Sequence, residues 1–449
     1  MTLLQKYNVP GPRYTSYPTV PYWDSTPTED NWKEHLELAY TNSEDGLSLY
    51  IHLPYCETFC TYCACNKSIT KNHSLEEPYI KALLKEWEMY LKILPSKPTI
   101  KHIHLGGGTP TFFSAENLDK LVSTILEKAA LAENPELSIE VHPNTVKPEH
   151  LTTLKKLGFN RISLGIQDFD PIVQTAINRI QTIEDVERVM AMIHEIGGFE
   201  INFDLIYGLP FQNKDSIRNT IAEVIKMKPS RIAFYSYAHI PWHNRASRLF
   251  TENDLPKDRE KLALYELGAK LLNNADYQSI GMDHFALKTD ELFTSAEAGE
   301  LHRNFMGYTV AKSNLLIGLG VSSISESTEM YIQNEKSIKT YYDRINANEL
   351  PIQKGHVLTY TDKIIKKHIM NLMCNFSTKF NHEDPNEANA IGEVKQRLNE
   401  MENDGLLGLF EKGILLSPKG KPFVRNVCMA FDQRLLLSKP ETRVFSQTV

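Results

Sequence analysis

The feature that most constrains the fold of this chain is a regular alternation of apolar and amphipathic segments between residue 46 and about residue 240. The apolar segments have the length and composition of buried strands. They cover residues 47–53, 102–105, 137–141, 161–165, 201–207 and 231–237. Because strands that alternate with helices form parallel sheets, we expect an α/β fold built as a partial (βα)6-type parallel barrel.

The segments between the predicted strands have the apolar periodicity of helices. Residues 78–94, 118–131 and 183–196 each place their apolar side chains on one helical face. That spacing is typical of a helix that packs on a core. We therefore predict that these three helices cover the sheet.

The pattern changes near residues 46 and 355, and we predict three parts. Residues 1–45 are rich in Tyr, Pro and Thr, so we expect an extended segment that packs across the barrel. Residues 46–355 form the main domain, and residues 356–449 resemble a small helical or winged-helix-like domain. Such domains often bind DNA, but the net charge of −7 and the lack of a basic block exclude nucleic acid as a partner. The C-terminal domain is therefore expected to cover the barrel.

Composition and hydropathy place the chain among soluble globular proteins, since 41% of its residues are hydrophobic and 23% are charged. It contains no apolar run long enough to cross a membrane, and no N-terminal apolar stretch follows basic residues. We expect a cytoplasmic monomer without a membrane span.

Polar residues and glycines recur where the predicted strands end. Ligands of parallel sheets bind at these carboxyl ends, on the loops that follow the strands. The positions are Gly106, Gly107, Gly108 and Thr109 after the second strand, Glu140 on the third, Gln167 after the fourth, Asp204 on the fifth and Ala238 after the sixth. Each alone is compatible with a tight turn or an ordinary polar residue, but their shared location favours a ligand site.

Four of the six cysteines fall within ten residues, directly after the first predicted strand: Cys56, Cys60, Cys63 and Cys65. Clustered thiolates select iron–sulfur clusters, zinc or copper. Structural zinc usually takes a second pair of ligands from elsewhere in the chain, and the sequence offers no such pair. An iron–sulfur cluster is thus favoured, while a zinc knuckle and a disulfide pair stay open. The isolated Cys374 and Cys428 are expected to be core residues.

The cysteine spacing C-x3-C-x2-C resembles that of the radical S-adenosylmethionine (SAM) superfamily, and further motifs resemble its oxygen-independent coproporphyrinogen III oxidase family. The resemblance covers nearly the whole chain. Its motifs lie at residues 11–19, 56–66, 106–111, 281–285, 301–305 and 318–322.

The resemblance implies a [4Fe–4S] cluster held by Cys56, Cys60 and Cys63, with one iron left free for SAM. It also implies a pocket for two SAM molecules. The matching positions are Tyr50, Tyr62, Gly107, Gly108, Thr109, Glu140, Gln167, Arg179, Asp204, Ala238 and Ile324. Tyr62 departs slightly from the family pattern, since some relatives have Phe there, and an aromatic ring can stack on adenine in either case.

The implied reaction is the oxidative decarboxylation of two propionates of coproporphyrinogen III to vinyl groups by a 5′-deoxyadenosyl radical, in haem biosynthesis. Its implied partners are a flavodoxin-like or ferredoxin-like electron donor and a final electron acceptor. Tyr50, His52 and Cys65 are expected as catalytic positions, although no chemical role follows for Cys65.

A substrate with four carboxylates needs cationic partners. We expect Arg13, Arg303 and His284 to contact it, with surface salt bridges as the alternative for both arginines. A related haem-binding chaperone that keeps the three-cysteine loop is the competing interpretation. Cys65 and the Gly-Pro-Arg-Tyr segment at residues 11–14 favour the oxidase, since that relative typically lacks both.

Overall fold

The computed structural model describes residues 2–43, 46–241, 249–310, 313–438 and 444–448. The last two residues of the predicted N-terminal segment, 44 and 45, lie outside these ranges. The strands are β1 (Leu47–Leu53), β2 (Tyr55–Cys56), β3 (Ser68–Ile69), β4 (Thr99–Gly107), β5 (Ala130–Val141), β6 (Arg161–Gln167), β7 (Glu200–Tyr207), β8 (Arg231–Ser236), β9 (Tyr277–Ile280), β10 (His284–Leu287), β11 (His302–Asn304), β12 (Gly307–Thr309), β13 (Leu315–Leu319), β14 (Ile324–Ser327), β15 (Met330–Asn334), β16 (Ile352–Val357), β17 (Ser377–Lys379), β18 (Leu407–Phe410) and β19 (Gly413–Leu416).

Helices surround these strands. They are α1 (Leu3–Tyr7), α2 (Glu29–Thr41), α3 (Glu76–Leu91), α4 (Ala115–Glu127), α5 (Pro148–Lys156), α6 (Pro171–Ala176), α7 (Ile183–Ile196), α8 (Lys214–Met227), α9 (Asp258–Asn274), α10 (Glu291–Ala298), α11 (Ile338–Asn346), α12 (Tyr360–Asn375), α13 (Pro385–Asn403), α14 (Val424–Met429) and α15 (Gln433–Ser438). Among the described residues, no helix is both long and apolar enough to cross a membrane.

The main sheet confirms the α/β prediction. Within the described part of the chain it has twelve strands in the order β16-β15-β14-β13-β1-β4-β5-β6-β7-β8-β10-β9. The six predicted strands correspond to β1 and β4–β8, and each pairs in parallel with its neighbour. Strand β13 adds a further parallel partner to β1. The order is open, with β16 and β9 at its edges, and the barrel-like curvature stays a prediction.

The three predicted helices are present as α3, α4 and α7. Helix α7 has the predicted bounds, but α4 ends at Glu127, four residues before the predicted end. Ala130 and Leu131 instead begin β5, where they pair with Thr99 and Ile100 of β4. Backbone pairing with a neighbouring strand therefore overrides a helical spacing that the sequence happens to continue.

The N-terminal segment is not extended throughout, so that prediction is wrong for residues 29–41. These residues form α2, whose first turn is capped by the Thr28 side chain. Trp32, Leu36 and Ala39 follow helical spacing and join the main core. Thr28, Glu29 and Asp30 are ordinary helix-start signals that the Tyr-rich and Pro-rich composition of the segment had masked.

The C-terminal part contains two long helices, α12 and α13, and a hairpin of β18 and β19. Strand β17 completes a three-stranded antiparallel sheet in the order β17-β19-β18. Tyr14 and Tyr17 of the N-terminal segment pack in the core of this part. Arg13 in the same segment donates to the Ser236 carbonyl at the end of β8, at 2.5 Å. The N-terminal segment therefore contacts both the sheet and the C-terminal part, while the division at residues 46 and 356 stays a prediction.

Candidate functional site

The four clustered cysteines lie on one loop, residues 54–70, which we call the cysteine loop. It leaves the carboxyl end of β1 and is closed at its base by the pairing of β2 with β3. The Cys63 amide donates to the Cys60 carbonyl at 3.3 Å, which folds the tip into a turn. Cys56, Cys60, Cys63 and Cys65 all line one cavity of about 250 Å³. We call this space the loop cavity.

Hydrogen-bond donors surround the thiols of the loop cavity. Thr109 donates to Cys56 Sγ at 3.3 Å, and Arg179 donates to Cys60 Sγ at 3.8 Å. Burial raises the pKa of the Cys56 thiol to about 11, since Thr109 only partly offsets the loss of solvation. A hydrogen bond with Cys65, helped by the charge of Lys67, lowers the pKa of Cys63. Donors that face sulfur stabilise thiolates, which is the form that binds iron.

The arrangement of the thiols fits a cluster better than one ion. Among the described residues, no group of three or more His, Cys, Asp or Glu side chains is arranged to hold a single metal ion. A cubane takes each thiolate at a different iron, so its sulfur ligands do not converge on one point. Cys56 and Cys60 are buried, Cys63 is half-buried and Cys65 is exposed.

Glycines let the turn after β4 approach the cysteine loop. A Cβ on Gly107 would lie 2.7 Å from the His52 ring, and the residue has a φ of +114°. A Cβ on Gly108 would lie 2.7 Å from the Pro54 carbonyl. Side chains at either position would push the two segments apart. The glycine run is therefore required by this close approach, and it leaves backbone open to a ligand.

Two carboxylates project into the loop cavity, Glu140 from β5 and Asp204 from β7, with β6 between these two strands. Glu140 accepts from the Gly107 amide at 3.2 Å, and His104 lies 3.4 Å from its other oxygen. Burial pushes the pKa of Glu140 up, but His104 and the Gly107 amide together hold it below its usual value. Asp204 accepts from Ser163 at 2.8 Å, yet burial raises its pKa to about 6. The two acids therefore sit in different electrostatic environments.

Arg179 brings a cation to the same cavity. Its Nη2 donates to the Gly165 carbonyl at 2.6 Å, and its Nη1 faces Cys60. Its Nε is buried and has no hydrogen-bond partner in the structure. A buried N–H without a partner is costly, so this donor is suited to a ligand that enters the cavity. Gly165 keeps the space open, because a Cβ there would lie 2.7 Å from Arg179 Nη2.

The predicted residues that line the loop cavity come from the cysteine loop, from the ends of β4–β7 and from the segment between α6 and α7. They are Cys56, Cys60, Tyr62, Cys63, Cys65, Gly107, Gly108, Thr109, Glu140, Gln167, Arg179 and Asp204. Chain segments more than a hundred residues apart thus supply one site, as expected for the carboxyl ends of parallel strands.

Tyr50 and His52 lie behind the cavity lining. The Tyr50 hydroxyl is 3.0 Å from His52 Nδ1, and His52 Nε2 is 2.8 Å from the Asn66 carbonyl. Only a donor satisfies a carbonyl, so His52 carries its proton on Nε2 and accepts from Tyr50. The pair connects β1 to the far side of the cysteine loop.

The remaining predicted residues lie away from the loop cavity. Ile324 begins β14 and packs against a small cluster that includes Trp23 and Tyr331. Ala238 follows β8, and Arg13 hydrogen-bonds the backbone of Ser236. None of these three lines the loop cavity.

Arg303 and His284 lie beside a second cavity, of about 110 Å³, which we call the inner cavity. It shares Glu140, Ser163 and Asp204 with the loop cavity, and His284 lines it. The Arg303 guanidinium lies 4.4 Å from the centre of the Tyr308 ring, and Tyr308 also lines the inner cavity. Two nitrogens of Arg303, Nε and Nη1, are buried without hydrogen-bond partners.

Sequence reasoning missed several residues that line the two cavities. They are Lys67, His102, His104, Ser138, His142, Ser163, Asn202 and Tyr235. A signal for six of them was available, because successive side chains of a strand alternate between faces. The six lie on the same face of the sheet as the predicted Glu140 and Asp204. They are residues 102, 104, 138, 163, 202 and 235.

A family model and several curated proteins match the chain. The model of the Radical SAM superfamily matches residues 50–224. The oxygen-independent coproporphyrinogen III oxidase of a Synechocystis strain is 36% identical, over 100% of this chain and 97% of the relative. The protein of the same name from Helicobacter pylori strain J99 is 38% identical, over 96% of this chain and 95% of the relative.

A solved structure matches most of the chain. Coproporphyrinogen III oxidase from Escherichia coli, described as a radical SAM enzyme, superimposes with a TM-score of 0.88 at 36% sequence identity. The superposition covers 94% of this chain and 97% of that structure. The similarity therefore extends over the main sheet, the N-terminal segment and the C-terminal part.

Proposed function

The chain belongs to the oxygen-independent coproporphyrinogen III oxidase family of the radical SAM superfamily, and we propose that it converts coproporphyrinogen III to protoporphyrinogen IX. Two propionate side chains of the substrate would each lose carbon dioxide and two electrons and become vinyl groups. The observation that carries the proposal is the loop cavity, where three thiols, an open glycine backbone, Glu140 and Arg179 face one space.

Cys56, Cys60 and Cys63 are proposed to hold a [4Fe–4S] cluster. Once bound, the cluster and SAM supply a 5′-deoxyadenosyl radical that removes a hydrogen atom from the β-carbon of a propionate. Thr109 and Arg179 donate to the sulfurs of Cys56 and Cys60, so these residues would hold the ligands in place and tune their basicity.

The chain's polar groups fit the functional groups of SAM. Arg179 has a free buried N–H for the carboxylate, and the Gly107–Gly108 backbone can approach the amino acid part closely. Glu140 and Asp204 are suited to ribose hydroxyls or the ammonium group. Tyr62 offers a ring for the adenine. Thr109, Gln167, Tyr50, Ala238 and Ile324 complete the positions that we propose for two SAM molecules, the second extending towards the inner cavity.

Binding removes water from the substrate carboxylates, and cationic partners offset that loss. Arg303 is the best-supported candidate for such a partner. Its Nε and Nη1 have no partner among the described residues, beside a cavity that adjoins the SAM site. Arg13 and His284 flank the same region through their interactions with Ser236 and Asp283. We propose that these three side chains bind propionates that are not reacting.

Partners outside the chain complete the proposed cycle. The cluster requires a low-potential electron donor of the flavodoxin or ferredoxin type, and each decarboxylation leaves an electron for a final acceptor. We further propose that the protein works as a monomer in the cytoplasm, with residues 1–45 and 356–449 covering the catalytic domain of residues 46–355.

One anaerobic assay tests the function. Protein with a reconstituted cluster is incubated with reductant, SAM and coproporphyrinogen III, and the oxidised porphyrins are separated by chromatography. We expect protoporphyrin together with 5′-deoxyadenosine and methionine. An intact cluster that cleaves SAM but forms no protoporphyrin would refute the proposed substrate. Stoichiometric haem binding without SAM cleavage would instead support the haem-chaperone alternative.

A further inference from the structure

His104 lies between Glu140, which lines the loop cavity, and the Tyr50–His52 pair, which connects β1 to the cysteine loop. It lies on β4, and its Nε2 is 3.4 Å from Glu140 Oε1. Its ring stacks on Tyr50, with ring centres 5.9 Å apart and planes 16° from parallel. His104 lines the inner cavity but not the loop cavity, so it can act on a ligand in the loop cavity only through its neighbours.

A serine orients the His104 ring. Ser138 Oγ lies 2.8 Å from His104 Nδ1 and 3.2 Å from His102 Nε2. A carboxylate accepts only, so His104 Nε2 donates to Glu140 and Nδ1 accepts from Ser138. Ser138 in turn accepts from His102. Ser138 Oγ also lies 3.4 Å from the Ile103 carbonyl, and His102 Nε2 lies 3.4 Å from Glu136 Oε1, but the shorter contact of Ser138 is with His104 and orients its ring towards Glu140.

The other contact of His104 leads to the cysteine loop. Tyr50, on which it stacks, donates to His52, and His52 donates to the Asn66 carbonyl within the cysteine loop. Asn66 is one residue after Cys65 and three after Cys63. One imidazole therefore contacts both the carboxylate of the cavity and the support of the thiol-bearing loop.

We propose that His104 is a positioning residue that sets the geometry of Glu140 and Tyr50 for SAM. The inference rests on the proposed function, in which Glu140 contacts SAM. His104 holds one carboxylate oxygen while the Gly107 amide holds the other, so the carboxylate is fixed at two points. Its flat face also limits the tilt of Tyr50. Groups that orient a binding residue in this way typically contribute 10- to 100-fold to affinity or activity.

The test measures SAM affinity by equilibrium dialysis, with a reconstituted and oxidised cluster that does not cleave SAM. His104→Phe keeps an aromatic face for Tyr50 but removes both nitrogens. We expect its Kd for SAM to rise roughly tenfold or more, with the visible absorbance of the cluster unchanged. His104→Gln retains an amide N–H for Glu140 and should recover part of the affinity.

His150→Phe is the matched control. His150 is a buried histidine that hydrogen-bonds the Phe113 carbonyl and the Lys147 amide and lines neither cavity. Its variant should keep the wild-type Kd within about twofold. Equal weakening by His150→Phe and His104→Phe would overturn the inference, because both would then act by loosening the core. A normal Kd in His104→Phe would also overturn it.

A double-mutant cycle with Glu140→Gln identifies the route of the effect. If His104 acts through Glu140, His104→Phe should weaken SAM binding much less in the Glu140→Gln background than alone. Full additivity would overturn the inference, even where the single variant is less stable. An unchanged Kd in Glu140→Gln would refute the cofactor contact and the inference together. Normal SAM binding without protoporphyrin formation would refute only the proposed substrate.

Discussion

The two ends of the central parallel strands contain charged groups of similar kinds in opposite arrangements. At the amino ends, Glu136, Arg161, Arg231 and Asp290 form a buried cluster that we call the basal ion cluster. Arg231 lies 2.6 Å from Asp290, and Arg161 lies 3.2 Å from Glu136. At the carboxyl ends, Glu140, Asp204 and Arg179 lie around the loop cavity without forming ion pairs with one another.

The pKa values of two carboxyl groups express this difference. Burial raises both, but at Glu136 the hydrogen bond of His102 and the charges of Arg161 and Arg231 outweigh it, and the pKa falls below its usual range. At Asp204 burial dominates, and the pKa rises to about 6. At the basal ion cluster opposite charges compensate one another, although Glu136, Arg161 and Arg231 also line the inner cavity, whereas at Asp204 no nearby cation outweighs burial.

Loss of a thiol at the cavity end has the largest expected effect. Cys56→Ser, Cys60→Ser and Cys63→Ser should each abolish the visible absorbance of the reconstituted cluster and all SAM cleavage, because each removes a proposed iron ligand. Cys65→Ser, the matched control on the same loop, should keep the absorbance. Iron and sulfide analysis with absorbance spectroscopy measures both. A cluster that survives in one of the first three variants would remove that residue from the ligand set.

A substitution in the basal ion cluster should change the free energy of unfolding. Glu136→Gln removes the charge that faces Arg161 and Arg231, so we expect the free energy of unfolding at pH 7 to fall by about 3 kcal/mol. The pKa of Glu136 is lowered in the fold, so this contribution is present above about pH 4.5 and is lost as the pH falls further. Anaerobic denaturant unfolding measures it. A pH-independent loss would contradict the electrostatic explanation.

At Asp204 we expect the pH dependence of the free energy of unfolding to have the opposite sign. Its pKa is raised from 3.8 to about 6, so its stabilising, protonated form is lost as the pH rises between these values. Asp204→Asn should therefore raise the free energy of unfolding by about 3 kcal/mol above pH 6 and leave it unchanged near pH 4. Ser163 Oγ, 2.8 Å from Asp204 Oδ2, can turn its hydroxyl and accept from the introduced amide. Destabilisation above pH 6 would show that Asp204 is compensated like Glu136.

The smallest expected effect is at Arg303, where a substitution should weaken substrate binding but not cofactor binding. Arg303→Gln should raise KM for coproporphyrinogen III roughly tenfold, about 1.4 kcal/mol, with kcat and the Kd for SAM little changed. Arg218→Gln is the control, because Arg218 is an exposed cation on α8 that pairs with Asp215 of the same helix. Steady-state kinetics under anaerobic conditions measures both variants. An unchanged KM in Arg303→Gln would show that Arg303 does not bind the substrate propionates.

Much of the fold and the cofactor site could be predicted because the signals are local. The strand spacing, the cysteine spacing and the glycine run each depend on neighbouring residues, and twelve predicted residues line the loop cavity. Helix α2 was missed although Thr28 caps it, since the composition of residues 1–45 outweighed a short local signal. The overlap of predicted α4 with β5 failed for a different reason, because strand pairing depends on residues about thirty positions away.

By itself the sequence determined the fold class, the chain positions of the strands that carry the site and the thiols suited to a cluster, because period, spacing and residue type contain that information. Only the tertiary structure decided which polar residues act together. His104 reaches Glu140 through the register of β4 and β5, Arg179 reaches Cys60 across 119 residues, and Arg303 retains unpaired N–H groups. Hydrogen-bond partners and burial arise from packing between distant segments, and these determine whether a charge stabilises the fold or remains available to a ligand.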